Sequence, residues 1–355
     1  MVTLKTIAGY YASRRAISVI IALALAFGVT SILIVISGYN PGEVYWRLFD
    51  GGFGSLRRLS LTLNMTTPLL LCSLGLILAF RCGVWNIGAE GQLYMGAVGA
   101  LAAGLFLPSI PKPLHLLVVA IASFIFGGIW GAIPGILKVK YKANEIITSL
   151  LMVFVAQLFV TYLTQFPWRA PQEVAAGFPV TEKVAATAML PKILPPTALH
   201  AGLIIALGLT VVVWFVLQRS AYGYRVKAVG INPDTARYGG IPVGKIKITS
   251  MILSGGLAGL AGMAQVSGIF HLLTDRISPG YGFLAILVTF LGGLNPFGSI
   301  FVALFLGALL SGSHFAQSDI GIDPSVVHVL VAVIMLSLIL LPFIEKRLSQ
   351  PFKHS

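Results

Sequence analysis

The sequence predicts an all-α protein that crosses a membrane many times, and three observations carry that reading. Of the 355 residues, 57% are hydrophobic and 10% charged, against about 25% charged in an ordinary soluble domain. The apolar residues come in runs of about 18 to 24, the length a helix needs to cross a hydrocarbon core of roughly 30 Å. The 24 Lys and Arg residues are scattered over short segments between those runs, so the net charge of +13 reads as topology signals rather than a nucleic-acid surface.

Hydropathy marks ten spans, at about 17–38, 60–80, 88–107, 114–137, 143–165, 199–217, 248–271, 279–294, 299–315 and 324–344. Lys5, Arg14 and Arg15 precede the first, an apolar run from Ile17 to Ile36 that is too long for a signal-peptide core, so it is kept as an uncleaved span. With the amino terminus inside, cytoplasmic segments hold 16 of the basic residues and external segments 8. This excess predicts that both termini are cytoplasmic.

Two connections are long. The external one, 166–198, carries Pro167, Pro171, Pro179, Pro191, Pro195 and Pro196, which deny it a continuous helix and suit a lid or docking surface. The cytoplasmic one, 218–247, carries six basic residues and one acid. Glycine is abundant, 39 residues, and much of it lies inside spans. Gly96, Ala100 and Gly104 repeat every fourth residue, as do Ala303, Gly307 and Ser311, giving flat stripes for close helix packing. Each stripe follows a glycine-broken stretch, Gly88 to Gly91 and Gly280 to Gly282, a hint of an internal repeat.

Soluble-enzyme chemistry is not visible: no metal-binding or nucleophile motif occurs, and the six histidines are dispersed, so neither catalytic residues nor a metal site are expected. Gly239 to Lys245 mimics a phosphate-binding loop, but Ile246 stands where a magnesium-binding hydroxyl is required and no buried strand precedes it. Cys72 and Cys82 lack partners and are assigned to packing.

Three segments stand out. In Arg81-Cys-Gly-Val-Trp-Asn-Ile-Gly-Ala-Glu-Gly-Gln92 the glycines weaken a helix and Asn86 can cap a new one, so the chain breaks and restarts. At membrane depth such a break lines a cavity or is buried, and Glu90 then faces a pathway. At the cytoplasmic surface, Asn86 is a simple cap and Glu90 is solvated near Arg81; hydropathy leaves both open. Ala228 to Ile241 has the punctuation of one short helix, with Asn232 as cap, Pro233 first, Asp234 at the positive end and Gly239 as stop. Two turns are unstable alone, so this segment either packs on something or is a solvated loop. Lys142 to Ser149 opens the fifth span with Asn144 as cap and Glu145 in the first turn; capping explains both, with gating as the alternative.

At these places the chain resembles the permease subunits of bacterial ATP-binding-cassette importers, in the branch of branched-chain amino acid, ribose and nucleoside permeases. The marks are Asn86-Ile-Gly-Ala-Glu-Gly-Gln92, Asn144-Glu-Ile-Ile-Thr148, Gly230-x-Asn232 to Gly239, and Gly292-Gly-Leu-Asn-Pro-Phe-Gly298, and the resemblance runs from about residue 17 to 345. The first two look most like the larger nucleoside permease, whereas ribose-type members have Asp-Leu-Ser in place of Gly88-Ala-Glu90.

The resemblance implies a translocation path for nucleosides in the bacterial cell membrane. It implies a second, shorter permease as partner, an extracytoplasmic substrate-binding lipoprotein, and a separate ATPase that uses ATP and magnesium, with no cofactor on this chain. Asn232, Asp234, Thr235, Ala236, Arg237, Tyr238 and Gly239 would form the coupling helix seated in the ATPase. If the two halves meet near the membrane centre, Asn86, Glu90 and Gln92 would offer hydrogen bonds to the substrate, and Tyr281 and Phe283 ring faces. A simple-sugar or other ring-compound permease is the runner-up. An ion-coupled transporter would need intramembrane acids on several helices, where only Glu90 is found, and a membrane-embedded enzyme would need a reactive cluster.

Overall fold

The computed structural model describes residues 24–108, 110–171 and 178–323, and positions 325, 326, 328–330, 332, 333, 336 and 337. These contain no β-strand, only isolated bridges. Among the described residues six helices are long and apolar enough to cross a membrane, or seven if the bent pair Ala24–Ile36 and Pro41–Phe53 is counted as one. About half of the tenth expected span, the rest of the carboxyl end and residues 1–23 lie outside the described residues.

The helices are α1 (Ala24–Ile36), α2 (Pro41–Phe53), α3 (Leu56–Arg81), α4 (Ala89–Phe106), α5 (Lys112–Tyr141), α6 (Glu145–Gln165), α7 (Gly202–Arg219), α8 (Ala221–Ile231), α9 (Pro233–Tyr238), α10 (Val243–Gln265, continued by a π-turn over Val266–Phe270), α11 (Tyr281–Leu291) and α12 (Pro296–Ile320). They form two compact units, Met1–Ser55 with Leu309–Ser355, and Leu56–Ala308.

In the larger unit α3, α4 and α10 are the most enclosed elements. α4 was expected as an ordinary third span, but nearly every one of its residues is buried, so it is a central post rather than a lipid-facing wall. Its flat stripe is used as the sequence suggests, on two different partners. A Cβ at Gly96 would lie 2.2 Å from Gly259 Cα, and one at Gly104 would lie 2.9 Å from Val184 Cγ1. A second seam was not read from the sequence. Cβ atoms at Gly127, Gly131 and Gly259 would lie 2.3 Å from Gly255 O, 2.5 Å from Met251 O and 2.2 Å from Ser123 O, so α5 and α10 touch backbone to backbone.

The expected eighth span is helical over only part of its length. α11 has 11 residues, well short of the ~20 that a crossing requires. It turns sharply into α12 through the 292–298 motif, where Gly293 (φ 68°) and Leu294 (φ 56°) adopt left-handed backbone. Gly292 and Gly298 approach too closely for any Cβ, and Asn295 Oδ1 caps Phe297 N at 3.0 Å. Ser73, Thr289 and Ser299 tie α3, α11 and α12 together through hydroxyl hydrogen bonds of 3.0 and 3.1 Å.

The described part of the 166–198 connection has no α-helix, as its prolines demand. It is stitched along the π-turn region by Thr181 N to Leu273 O, Val184 N to His271 O and Leu190 N to Ser267 O, at 3.1, 2.8 and 2.8 Å. In the smaller unit, α2 lies between the first two expected spans, where the sequence analysis marks no element. Asn40 caps it through Gly42 N, and Pro41 takes the first position.

Candidate functional site: the broken helix and the projecting helix

After Arg81 the chain turns back into the protein. Arg81 is held by two hydrogen bonds to Leu294 O, at 3.0 and 2.9 Å. Gly83, at φ 70°, makes the reversal. Phe80, Trp85 and Phe290 stack beside it, with ring centroids 5.2 to 5.8 Å apart. Asn86, Glu90 and Gln92 then lie fully buried, which removes the alternative of a solvated Glu90 beside Arg81.

The expectation that Asn86 is the N-cap is corrected. Gly88 occupies that position, and Asn86 stands two residues earlier, where its Oδ1 accepts from Gly88 N at 3.0 Å. Its remaining capacity is spent within the chain. Asn86 Nδ2 donates to Gln92 Oε1 and to Ser254 Oγ, both at 2.9 Å, and Gln92 Nε2 returns a bond to Asn86 Oδ1 at 3.0 Å. An amide has two donors and two acceptor lone pairs, so Asn86 has nothing left to offer a solute and its role is to hold α4 against α10.

The opening turn of α6 clamps the same break. Asn144 Oδ1 caps Ile146 N at 2.9 Å, Glu145 pairs with Lys138, and Ser149 Oγ accepts from Ile87 N at 3.1 Å. A Cβ at Gly88 would lie 2.8 Å from Ser149 O, and one at Gly91 2.8 Å from Val153 Cα. The two strongest sequence marks are therefore one structural unit, with α6 pressed onto the restart of α4.

The two glycine-broken stretches do meet. Glu90 Oε2 accepts from Gly282 N at 2.6 Å, and a Cβ at Gly282 would lie 2.2 Å from Glu90 N. α11 has no side-chain cap of its own at Gly280, so Glu90 Oε2 supplies the acceptor for a free N–H at its N-terminus from across the interface. Ser278 Oγ accepts from Tyr281 N at 3.0 Å and completes the turn. Tyr281 is itself buried and presents no open ring face, whereas Phe283 is half-buried.

The short helix expected within 228–241 is α9, and a second helix, α8, precedes it. Ser220 caps α8 through Gly223 N at 3.0 Å, and Asn232 Oδ1 caps α9 through Asp234 N and Thr235 N at 3.0 and 3.1 Å. Gly239 follows the last residue of α9 and Gly240 supplies the left-handed turn at φ 77°. Ala236 alone in α9 is buried, against its own chain. The side chains that project are Ile231 at 86% and Tyr238 at 94% exposure, with Asp234 and Arg237 paired at 3.4 Å.

A family model of the permease component of branched-chain amino acid transport systems matches residues 58–340. The chain belongs to this permease family. It is 32% identical over 318 residues to the guanosine ABC transporter permease protein NupP of Bacillus subtilis, covering 89% of this chain and 91% of that one. It is 31% identical over 329 residues to the nucleoside ABC transporter permease protein NupB of Lactococcus lactis, covering 91% and 90%. It is also 31% identical over 341 residues to the glucose ABC transporter permease protein TsgB13 of Haloferax volcanii, covering 92% and 88%. A second permease from each of the first two organisms, NupQ and NupC, also matches, at 28% and 25% identity. No solved structure matches the chain.

For a multi-pass transport component of this kind, the residues missed from sequence are those that complete the break from a distance. Ser149, Ser254 and Leu294 lie 62, 168 and 213 residues from their partners, and although Ser149 and Leu294 sit in segments that stand out in the sequence, no local pattern announces the pairings. The α5 seam did have a signal, Gly127, Gly131 and Gly135 at every fourth position.

Proposed function

We propose that the permease carries nucleosides as one of two permease subunits in an ATP-binding-cassette importer of a bacterial cytoplasmic membrane. A separate ATPase binds ATP and magnesium, α9 and the exposed Ile231 and Tyr238 dock in it, and a lipoprotein delivers substrate on the opposite side. The observation that carries the reading is near-full-length similarity to a guanosine and a nucleoside permease. The presence of a second matching permease in both organisms supports a paired subunit. The junction of Glu90 with Gly282 supports a path between broken helices, near Phe283, with Asn86, Gln92 and Tyr281 positioning it.

Uptake of labelled guanosine, adenosine, uridine, ribose and glucose by cells expressing the complete importer tests the substrate. Nucleosides should be taken up and should compete with one another. Uptake of glucose that nucleosides fail to inhibit would favour the sugar reading, which the glucose permease relative supports. The same reading places both termini and 218–247 inside and 166–198 outside. Cysteines introduced at Lys183 and Arg225, in a background lacking Cys72 and Cys82, should label from opposite sides of the membrane.

A further inference from the structure

We propose that α2 is an in-plane anchor at the membrane–water boundary, with its aromatic stripe inserted into the lipid, independently of what the permease carries. The helix has three different faces. Val44, Leu48, Gly51 and Gly52 are buried. A Cβ at Gly51 would lie 2.7 Å from Phe315 Cβ, and one at Gly312 2.2 Å from Leu48 O, so this face is pressed on α12. Trp46, Phe49 and Phe53 form a second face, 62%, 58% and 42% exposed, with successive ring centroids 6.1 and 5.5 Å apart. Glu43, Arg47 and Asp50 form a third, on which Arg47 pairs with Asp319 at 2.8 Å and with Glu43 at 3.8 Å.

At about 100° per residue the aromatic and charged stripes lie roughly a quarter turn apart, and each lies farther than that from the buried stripe. A helix in the hydrocarbon core would not carry the charged stripe, and one in water would not leave three rings in a row uncovered. Protein, lipid and water meet along one helix only at the interface, where an amphipathic helix lies with its rings among the acyl chains and headgroups.

The elbow gives the same answer. The axes of α1 and α2 differ by 114°, so a membrane-crossing α1 leaves α2 close to the membrane plane. Its 13 residues are also too few to cross, which needs about 20. The angle is held from several sides. Tyr45 Oη donates to Phe27 O at 2.7 Å and pairs with Ser31 Oγ at 3.1 Å, while Tyr39 Oη donates to Gly321 O at 3.3 Å. α1 likewise leaves apolar side chains uncovered, since Leu25, Val29, Ile32 and Ile36 are exposed along it.

The test uses the full chain in proteoliposomes. A nitroxide at Phe49→Cys, in a background lacking Cys72 and Cys82, should be accessible to oxygen and to a water-soluble nickel chelate in the balance found near the headgroups. In a separate protein with Trp85, Trp130, Trp168 and Trp214 replaced by Phe, Trp46 fluorescence should be quenched at least twofold more by lipids brominated near the headgroup than by lipids brominated near the chain end. Oxygen access without nickel access, with strongest quenching from the chain end, would place α2 inside the bilayer and overturn the proposal. Access to neither probe would overturn it in favour of a second subunit covering the stripe, and nickel access without lipid quenching in favour of plain solvent. The nitroxide result stands alone if the tryptophan-depleted protein does not fold.

Discussion

Two segments of this permease begin with an asparagine and use it in opposite ways. Asn86 spends both donors and both acceptor positions inside the chain, on Gly88, Gln92 and Ser254, and is inaccessible to solvent. Asn232 caps a six-residue helix whose side chains, Ala236 excepted, stand partly or fully in the open. The first asparagine fixes the interior where the chain breaks, and the second shapes a projection that stands in the open. Damage at the first should appear as lost structure, and damage at the second as lost coupling with the structure intact.

The largest effect is expected from Asn86→Ala. It leaves the Gln92 amide, Ser254 Oγ and Gly88 N short of partners, and each unsatisfied buried group costs about 1–3 kcal/mol. Little folded permease should be recovered in detergent, and its unfolding midpoint should drop by several degrees or more. Normal recovery with loss of uptake alone would return Asn86 to the solute path and erase the contrast.

Glu90→Gln should come next. The amide oxygen can still accept from Gly282 N, but the amide NH₂ brings two donors into a buried site where the second carboxyl oxygen stood, and an unpartnered buried donor costs about 1–3 kcal/mol. Folded protein should remain near wild-type levels while nucleoside uptake falls roughly tenfold, a loss of about 1.4 kcal/mol in transport free energy. Unchanged uptake would reduce Glu90 to a dispensable cap.

Within α9 the comparison can be sharpened residue against residue. Tyr238→Ala should leave the unfolding midpoint unchanged and lower uptake and transport-linked ATP hydrolysis severalfold. Ala236→Asp should lower the midpoint first, because Ala236 is covered by its own chain. If both variants transport normally, the projection couples to nothing.

The smallest effect concerns pH. His200, on the loop outside the spans, has its pKa lowered to about 4 by burial, with His271 nearby adding to the effect. Its unfolded form binds a proton from about pH 6.5 downward, so stability should fall as pH drops from about 6.5 toward 4. His200→Gln should flatten the decline of the unfolding midpoint in that window.

The legibility of the chain follows from how local each signal is. Asn232-Pro233 and Asn40-Pro41 carry the same start punctuation, yet only the first was read as a helix. α9 stands in a polar stretch where a cap and a stop are conspicuous. α2 divides thirteen residues among three environments, so neither a long apolar run nor a single polar face marks it. The break at Asn86 was legible because three glycines and two polar side chains cluster within a few positions, but its depth was not, since that is decided by Ser149 and Ser254 on other helices. Likewise Tyr281 could be named from sequence as an aromatic beside a glycine turn, while only packing shows that its ring is covered.

The seam between α5 and α10 has a mechanical consequence. Ordinary helix contacts slide by letting side chains hop between rotamers, but at Gly127, Gly131, Gly255 and Gly259 there are no rotamers to exchange, only carbonyls seated against α-carbons. Displacing one helix along the other by less than a full turn, ~5.4 Å, would drive backbone into backbone or into bulkier neighbours. The pair therefore behaves as a keyed shaft, two helices locked into one rigid element.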